Sequence, residues 1–226
     1  MGNVFFQVDV VDDLGYRRSQ KRQPLFITFG VHAAIALTPD SDHRGKQPII
    51  QQSLTALQPA RALGAQLVLV DGGSTDGSTE HVEPLVDKLL NSEAGRARQM
   101  NAGAAVARGD VLVFLHAYTL VPSNAFSCIK ATLEDNYVVC GAFDLGFRSN
   151  MFIFKVIGKS ASLRSRITRI PYGDHTIFIR KDYFHAIGGY REMPLMEDVE
   201  LMQRIKRRGD TICILSEKVS TAPRRW

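Results

Sequence analysis

Cysteine is scarce in this chain: three stand at positions 128, 140 and 213 among 226 residues, and no CxxC pair occurs. An odd count at wide spacing argues against a disulfide framework and a zinc ribbon, and fits a reducing compartment. Long apolar runs are also missing; none reaches the roughly 18 residues that a spanning helix needs. The opening MGNVFFQVDVVDD has neither a basic lead nor a long apolar centre, so it does not read as a signal peptide. These absences predict a cytoplasmic protein, with peripheral contact at the inner membrane surface left open.

Charge of one sign is nearly missing as a global feature. Lys and Arg number 28 against 23 Asp and Glu, so 28 − 23 = +5. The excess sits in residues 203–226, with seven basic and two acidic side chains, while the first 202 residues balance at 21 and 21. So local a patch excludes a nucleic-acid-binding coat. It suits phosphate, an anionic membrane surface or a solvated helix face. With 45% hydrophobic and 23% charged residues, the chain has enough apolar side chains for a core, which excludes a wholly disordered protein.

The apolar pattern alternates between two periods. Residues 1–46 show little periodicity beyond a candidate strand near Leu25–Phe29, and read as an atypical N-terminal segment. From residue 47 to 226 the signals sharpen into one domain. Helices are predicted at Ile49–Leu57 (ended or bent by Pro59), Ser78–Leu90, Gly95–Arg108, Pro122–Glu134, Phe152–Ile167, Lys181–Ile187 and Glu197–Arg208, the last with Val199, Met202 and Ile205 inward. Strands are predicted at Gln66–Val70, Val111–Leu115, Tyr137–Phe147 (broken by Gly141), Thr176–Arg180 and Thr211–Leu215. This alternation predicts an α/β fold with a largely parallel sheet flanked by helices.

In open α/β sheets, ligands bind beyond the carboxyl ends of the strands. Leu67–Val70 runs into Asp71-Gly72-Gly73-Ser74-Thr75-Asp76-Gly77. Its glycines admit a ligand close to the backbone, and Asp71 can accept from a base N–H or a ribose hydroxyl; a tight turn with Asp76 as helix cap explains the run equally. It fits neither GxGxxG nor a phosphate loop with its lysine. Val113–Leu115 ends in His116-Ala117-Tyr118-Thr119, where His116 can take phosphate, metal or an ordinary hydrogen bond. Glu197-Asp198 opens a helix, as the macrodipole alone favours, and can also supply a general base. Arg224-Arg225-Trp226 can fork onto phosphate or be solvated.

The ordered set VDGGSTDG (70–77), GRARQMNAGA (95–104), Phe114-Leu115-His116-Ala117, Tyr172-Gly173-Asp174, Pro194-Leu195-Met196-Glu197-Asp198-Val199-Glu200 and Arg224-Arg225-Trp226 resembles family 2 glycosyltransferases. It looks closest to the bacterial arsenosugar-biosynthesis-type subgroup. The resemblance covers residues 47–226, and residues 1–46 do not match it. It implies a GT-A-like (Rossmann-related) mixed, mostly parallel sheet and inverting transfer of a sugar from a nucleotide-sugar donor to the hydroxyl of an acceptor of unknown class. Asp198, with Glu197 beside it, is then the base. Asp71, Gly72, Gly73, Ser74, Arg96, Gln99, Asn101, His116, Asp174, Arg224, Arg225 and Trp226 are then nucleotide-sugar contacts. The family pattern reads His-Ala-Asp-Thr after the second strand, its Asp contacting a divalent metal. Here Tyr118 stands in that place, and a phenol with a pKa near 10 is a poor ligand for Mg²⁺ or Mn²⁺. The resemblance therefore implies a divalent cofactor that this residue disfavours, and an alternative reading follows: a catalytically degenerate homologue that binds a nucleotide-sugar or a partner.

Overall fold

The structure is a computed structural model and describes residues 31–37, 47–74 and 81–222. Eight strands form one mixed sheet in the order β3-β2-β1-β4-β7-β6-β8-β5. They are β1 (Val31–Leu37), β2 (Gln66–Asp71), β3 (Lys88–Asn91), β4 (Val111–His116), β5 (Thr119–Leu120), β6 (Val138–Phe147), β7 (Ile177–Arg180) and β8 (Thr211–Thr221). β3, β2, β1 and β4 are mutually parallel. β7 runs antiparallel to β4 and β6, whereas β6 and β8 pair parallel.

Alternation along β4 explains why both faces are covered. Val111, Val113 and Leu115 enter one apolar cluster, and Leu112 and Phe114 enter the other. The first cluster takes residues from α1 (Gln47–Ala56) and α4 (Ala125–Leu133), and α5 (Phe152–Thr168) lies along β6. The second takes residues from α3 (Arg96–Val106), α6 (Lys181–Ala186) and α7 (Glu197–Arg207). The short α2 (Gln58–Ala62) carries Pro59 in its first turn, so the chain bends there into a new helix.

Several expectations need correction. The apolar spacing of Val82, Leu85, Val86, Leu89 and Leu90 reads as a helix, but the described part holds a 3₁₀ turn at Glu83–Leu85 and the edge strand β3. Pro84 lies within that turn. Asp87 then ties the chain to β2, its Oδ2 accepting from the Leu67 N–H at 2.7 Å. In α7, Leu201 takes the inward place beside Met202 and Ile205, and Val199 is only half-buried. β8 continues past Leu215 to Thr221. The candidate strand near Leu25–Phe29 lies outside the described residues, while β1, inside the segment 1–46, pairs on one side with β2 and on the other with β4.

Gly141 does not break β6. It pairs with both β7 and β8, and a Cβ there would lie 2.4 Å from the Cys213 carbonyl oxygen and 2.4 Å from Phe178 Cζ. Glycine is needed for close approach and not for a turn. Gly141→Ala must push backbone apart in the sheet centre, so it is expected to cost about 3 kcal/mol. Urea unfolding of the variant measures this; a loss well under about 1 kcal/mol would show that the sheet adjusts.

Candidate active site

β1 pairs with β2 on one side and β4 on the other, so the strand order reverses there and opens a crevice at the carboxyl ends. Because β7 is antiparallel to β4, with Phe114 opposite Ile177, the turn that precedes β7 lies beside the end of β4. That turn is a 3₁₀ helix, Gly173–His175. The N-terminus of α7 closes the same place. A cleft of about 170 Å³ results, lined by Arg96, His116, Tyr118, Tyr172, Gly173, Asp174, Leu195, Met196, Asp198, Thr221 and Ala222.

Three groups meet around Gly173. Its N–H donates to Asp198 Oδ2. A Cβ on Gly173 would lie 2.8 Å from Arg96 Nη2, 3.1 Å from His116 Nε2 and 3.2 Å from Asp198 Oδ2. Only a residue without a side chain lets the cation, the imidazole and the carboxylate converge. Asp198 Oδ1 accepts from the Val199 N–H at 2.7 Å, so both carboxylate oxygens are oriented by backbone.

Arg96 is the hub. Its Nη2 is 2.9 Å from His116 Nε2. A guanidinium only donates, so Nε2 is the acceptor in this contact. Arg96 Nε lies 3.0 Å from Glu197 Oε1, an ionic contact with a carboxylate that is 1% exposed. Burial raises the Glu197 pKa above its ordinary range, and the Arg96 charge opposes that shift. Glu197 therefore stands behind the cleft and holds Arg96, while Asp198 faces in. The ring of His116 stacks on Tyr118 at 5.4 Å between centroids.

Strain marks the two segments that carry the carboxylates. Met196 (φ 67°) precedes Glu197-Asp198, and the β-branched Thr176 (φ 55°) follows the Gly173–His175 turn. Such conformations cost free energy and persist only where packing imposes them. His175 is fully buried; its Nδ1 lies 2.9 Å from the Phe143 carbonyl oxygen, and burial keeps its pKa low.

Asp174 behaves oppositely. Burial raises its pKa, the neighbouring Asp198 adds to that, and His175 and Arg96 oppose it. Its Oδ1 is buried without a hydrogen-bond partner. A carboxyl raised in the fold contributes stability that is present below its unfolded pKa and lost as pH rises through the folded one. Asp174→Asn is therefore expected to raise the melting temperature at pH 7. The gain should vanish below the ordinary carboxylate range, where wild type is neutral as well. A variant that melts lower than wild type at pH 7 would contradict this.

The remaining sequence candidates divide by place. Arg96, His116, Asp174 and Asp198 line the cleft together. Asp71 closes its own turn: Oδ1 accepts from Ser74 Oγ at 2.6 Å, and Oδ2 from the backbone N–H of Ser74 at 2.8 Å and of Gly73 at 3.3 Å. Gly72 is buried in that turn, and Asp76 lies outside the described residues. Gln99 is buried and donates from Nε2 to the Val70 carbonyl at 3.1 Å, fixing the end of β2. Asn101 uses both ends of its amide on the Tyr190 backbone, at 2.8 and 2.9 Å. Arg224, Arg225 and Trp226 lie outside the described residues. Tyr172, Gly173, Leu195 and Met196, which lie in the motifs of the resemblance without an assigned role, join the lining, as do Thr221 and Ala222, which no sequence signal marked.

Residues 44–193 match the profile of glycosyl transferase family 2. Undecaprenyl-phosphate 4-deoxy-4-formamido-L-arabinose transferase of Aeromonas hydrophila is 25% identical over 146 residues, covering 60% of this chain and 45% of that protein. The chain thus spans less than half the length of that relative. Among solved structures, TarS of S. aureus in complex with UDP-GlcNAc superposes with a TM-score of 0.68 at 16% identity, covering 87% of this chain and 59% of TarS. The mannosyltransferase PcManGT of Pyrobaculum calidifontis, in complex with GDP-Man and Mn²⁺, superposes at 0.64 and 18% identity, covering 87% and 58%. These likenesses show a GT-A fold. Since the family match covers more than half of its residues, this chain belongs to glycosyl transferase family 2.

Proposed function

We propose that the cleft transfers a sugar, with inversion, from a nucleotide-sugar to an acceptor hydroxyl. The convergence of Arg96, His116 and Asp198 on Gly173 at the carboxyl ends of the strands carries this reading. Asp198 is the base: the hydroxyl oxygen attacks the anomeric carbon, its proton passes to the carboxylate, and the nucleoside diphosphate leaves. Negative charge grows on that leaving group, so a preoriented cation lowers the barrier. Arg96 supplies that cation, held from behind by Glu197.

The side chains in this cleft do not fit a divalent ion well. Position 118 carries a neutral phenol. The Nε2 lone pair of His116 already accepts from a guanidinium, and both Asp71 oxygens serve their own turn. Among the described residues, no group of three His, Cys, Asp or Glu side chains could hold a metal. We therefore route the charge of the diphosphate to Arg96.

A thermal melt of the purified chain against nucleotide-sugars, with Mn²⁺ and with EDTA, tests both points. One nucleotide class should raise the midpoint equally in both buffers, and the shifting donor should be consumed in a transfer assay. No shift with any donor would reject the donor pocket. A shift seen only with Mn²⁺ would reject the role of Arg96. The second reading, a degenerate homologue, is favoured by Tyr118; it predicts a shift without turnover under every acceptor tried.

A further inference from the structure

Helix α5 is built inside out. Its fully buried residues are Gly158, Ser162 and Ser165. They are small because the helix lies close to β6: a Cβ on Gly158 would come 2.8 Å from the Leu145 carbonyl oxygen, and the Leu145 N–H donates to Ser162 Oγ at 2.9 Å. The large apolar residues face out instead. Phe152 is 78% exposed, Val156 44%, Leu163 59% and Ile167 73%. At about 100° per residue these four fall within an arc of about 60°. A surface helix of a globular protein normally shows the reverse arrangement.

The charged side chains of α5 are Lys155, Lys159, Arg164 and Arg166, with no acidic one; Arg166 is paired with Asp144 of β6 at 3.0 Å. Lys155 and Lys159 are exposed beside the apolar arc. The face also adjoins the cleft: the Arg164 guanidinium lies 3.5 Å above the ring of Tyr172, which lines it. Leu195 and Met196, at 61% and 45% exposure, are exposed apolar side chains of the cleft lining.

We propose that α5 docks this protein on an anionic phospholipid surface, with Phe152, Val156, Leu163 and Ile167 entering the acyl boundary and Lys155 and Lys159 facing the headgroups. An apolar arc bordered by lysines matches that medium, which is apolar below and negative above. A second copy of the chain suits the face less well. A two-fold contact would set this helix against its own copy, with Lys155 and Lys159 facing their counterparts. No helix among the described residues is long and apolar enough to cross a membrane, so the contact lies along the surface. This face lies outside the catalytic groups.

Vesicle flotation of the full chain tests it, using phosphatidylcholine with and without phosphatidylglycerol. Wild type should float with the anionic vesicles only, and high salt should release it. Lys155→Glu with Lys159→Glu should weaken partitioning at least about 10-fold. Replacing Phe152, Val156, Leu163 and Ile167 together by Ser should abolish it. These side chains are exposed, so circular dichroism melts should show both variants folded; a variant that fails to fold is replaced by the single changes Phe152→Ser and Ile167→Ser. Absence of flotation, or equal flotation of wild type and variants, overturns the proposal. So does a dimer in sedimentation equilibrium that the serine variant dissolves while no form floats. Nucleotide-dependent melting is read separately, so failure of the donor site leaves the vesicle result standing.

Discussion

Asp198→Asn is expected to lower sugar transfer by roughly 10²–10⁴-fold, the usual contribution of a positioned base, while the chain stays folded and the donor still raises the melting midpoint. The amide is nearly isosteric, and its oxygen can keep accepting from the Gly173 N–H. What it cannot do is take a proton from the attacking hydroxyl. The loss should therefore appear in kcat, with the KM for donor nearly unchanged, which marks an interaction used only in the transition state. Transfer surviving within a few-fold of wild type would remove Asp198 from the base role. Loss of the donor-induced midpoint shift would instead make it a positioning residue for the Gly173 turn.

The legibility of this site in sequence depended on whether a residue acts through its own chemistry or through its place. Asp198 and His116 were legible as polar groups at a helix start and a strand end, where the macrodipole or an ordinary hydrogen bond accounts for them equally, and Arg96 and Asp174 were legible only through the resemblance. The order of motifs then tied them to one family. Gly173 carries no side chain, so nothing in its chemistry announces that three functional groups converge on it; only the space left by a missing Cβ does. Gln99 and Asn101 sit in the same motif as Arg96, and sequence cannot separate them from it. In three dimensions they fasten backbone, one to the end of β2 and the other to Tyr190. The fold followed a similar rule. Buried strands and amphipathic helices were visible from their periods. The stretch from Val82 to Leu90 is ambiguous in sequence because short apolar runs satisfy either period. The extension of β8 to Thr221 was hidden by Ser216, Glu217 and Lys218, whose polarity suits a strand half open to solvent.

The pairing of Arg96 with Glu197 separates stability from chemistry in the same cleft, and a double-mutant cycle should expose both. Arg96→Gln leaves a carboxylate that is 1% exposed without its cation. Removing one partner of a fully buried pair costs up to about 3–5 kcal/mol. Arg96 is itself 25% exposed, and Glu197 already has a raised pKa that lets it take up a proton. The cost is therefore expected nearer 2–3 kcal/mol by urea unfolding, and smaller at acidic pH, where Glu197 is neutral. Glu197→Gln removes the same ion pair from the other side and leaves a partly solvated guanidinium, a milder loss. In Arg96→Gln with Glu197→Gln no charge is stranded, so most of the stability should return, with a coupling energy of about 2–3 kcal/mol. Transfer should not return with it. The diphosphate would still lack its cation and His116 its donor, so the double variant should melt close to wild type and turn over as poorly as Arg96→Gln alone. Recovery of both properties together would mean that Arg96 serves only to neutralise Glu197, and that the charge of the leaving group is met elsewhere in the cleft.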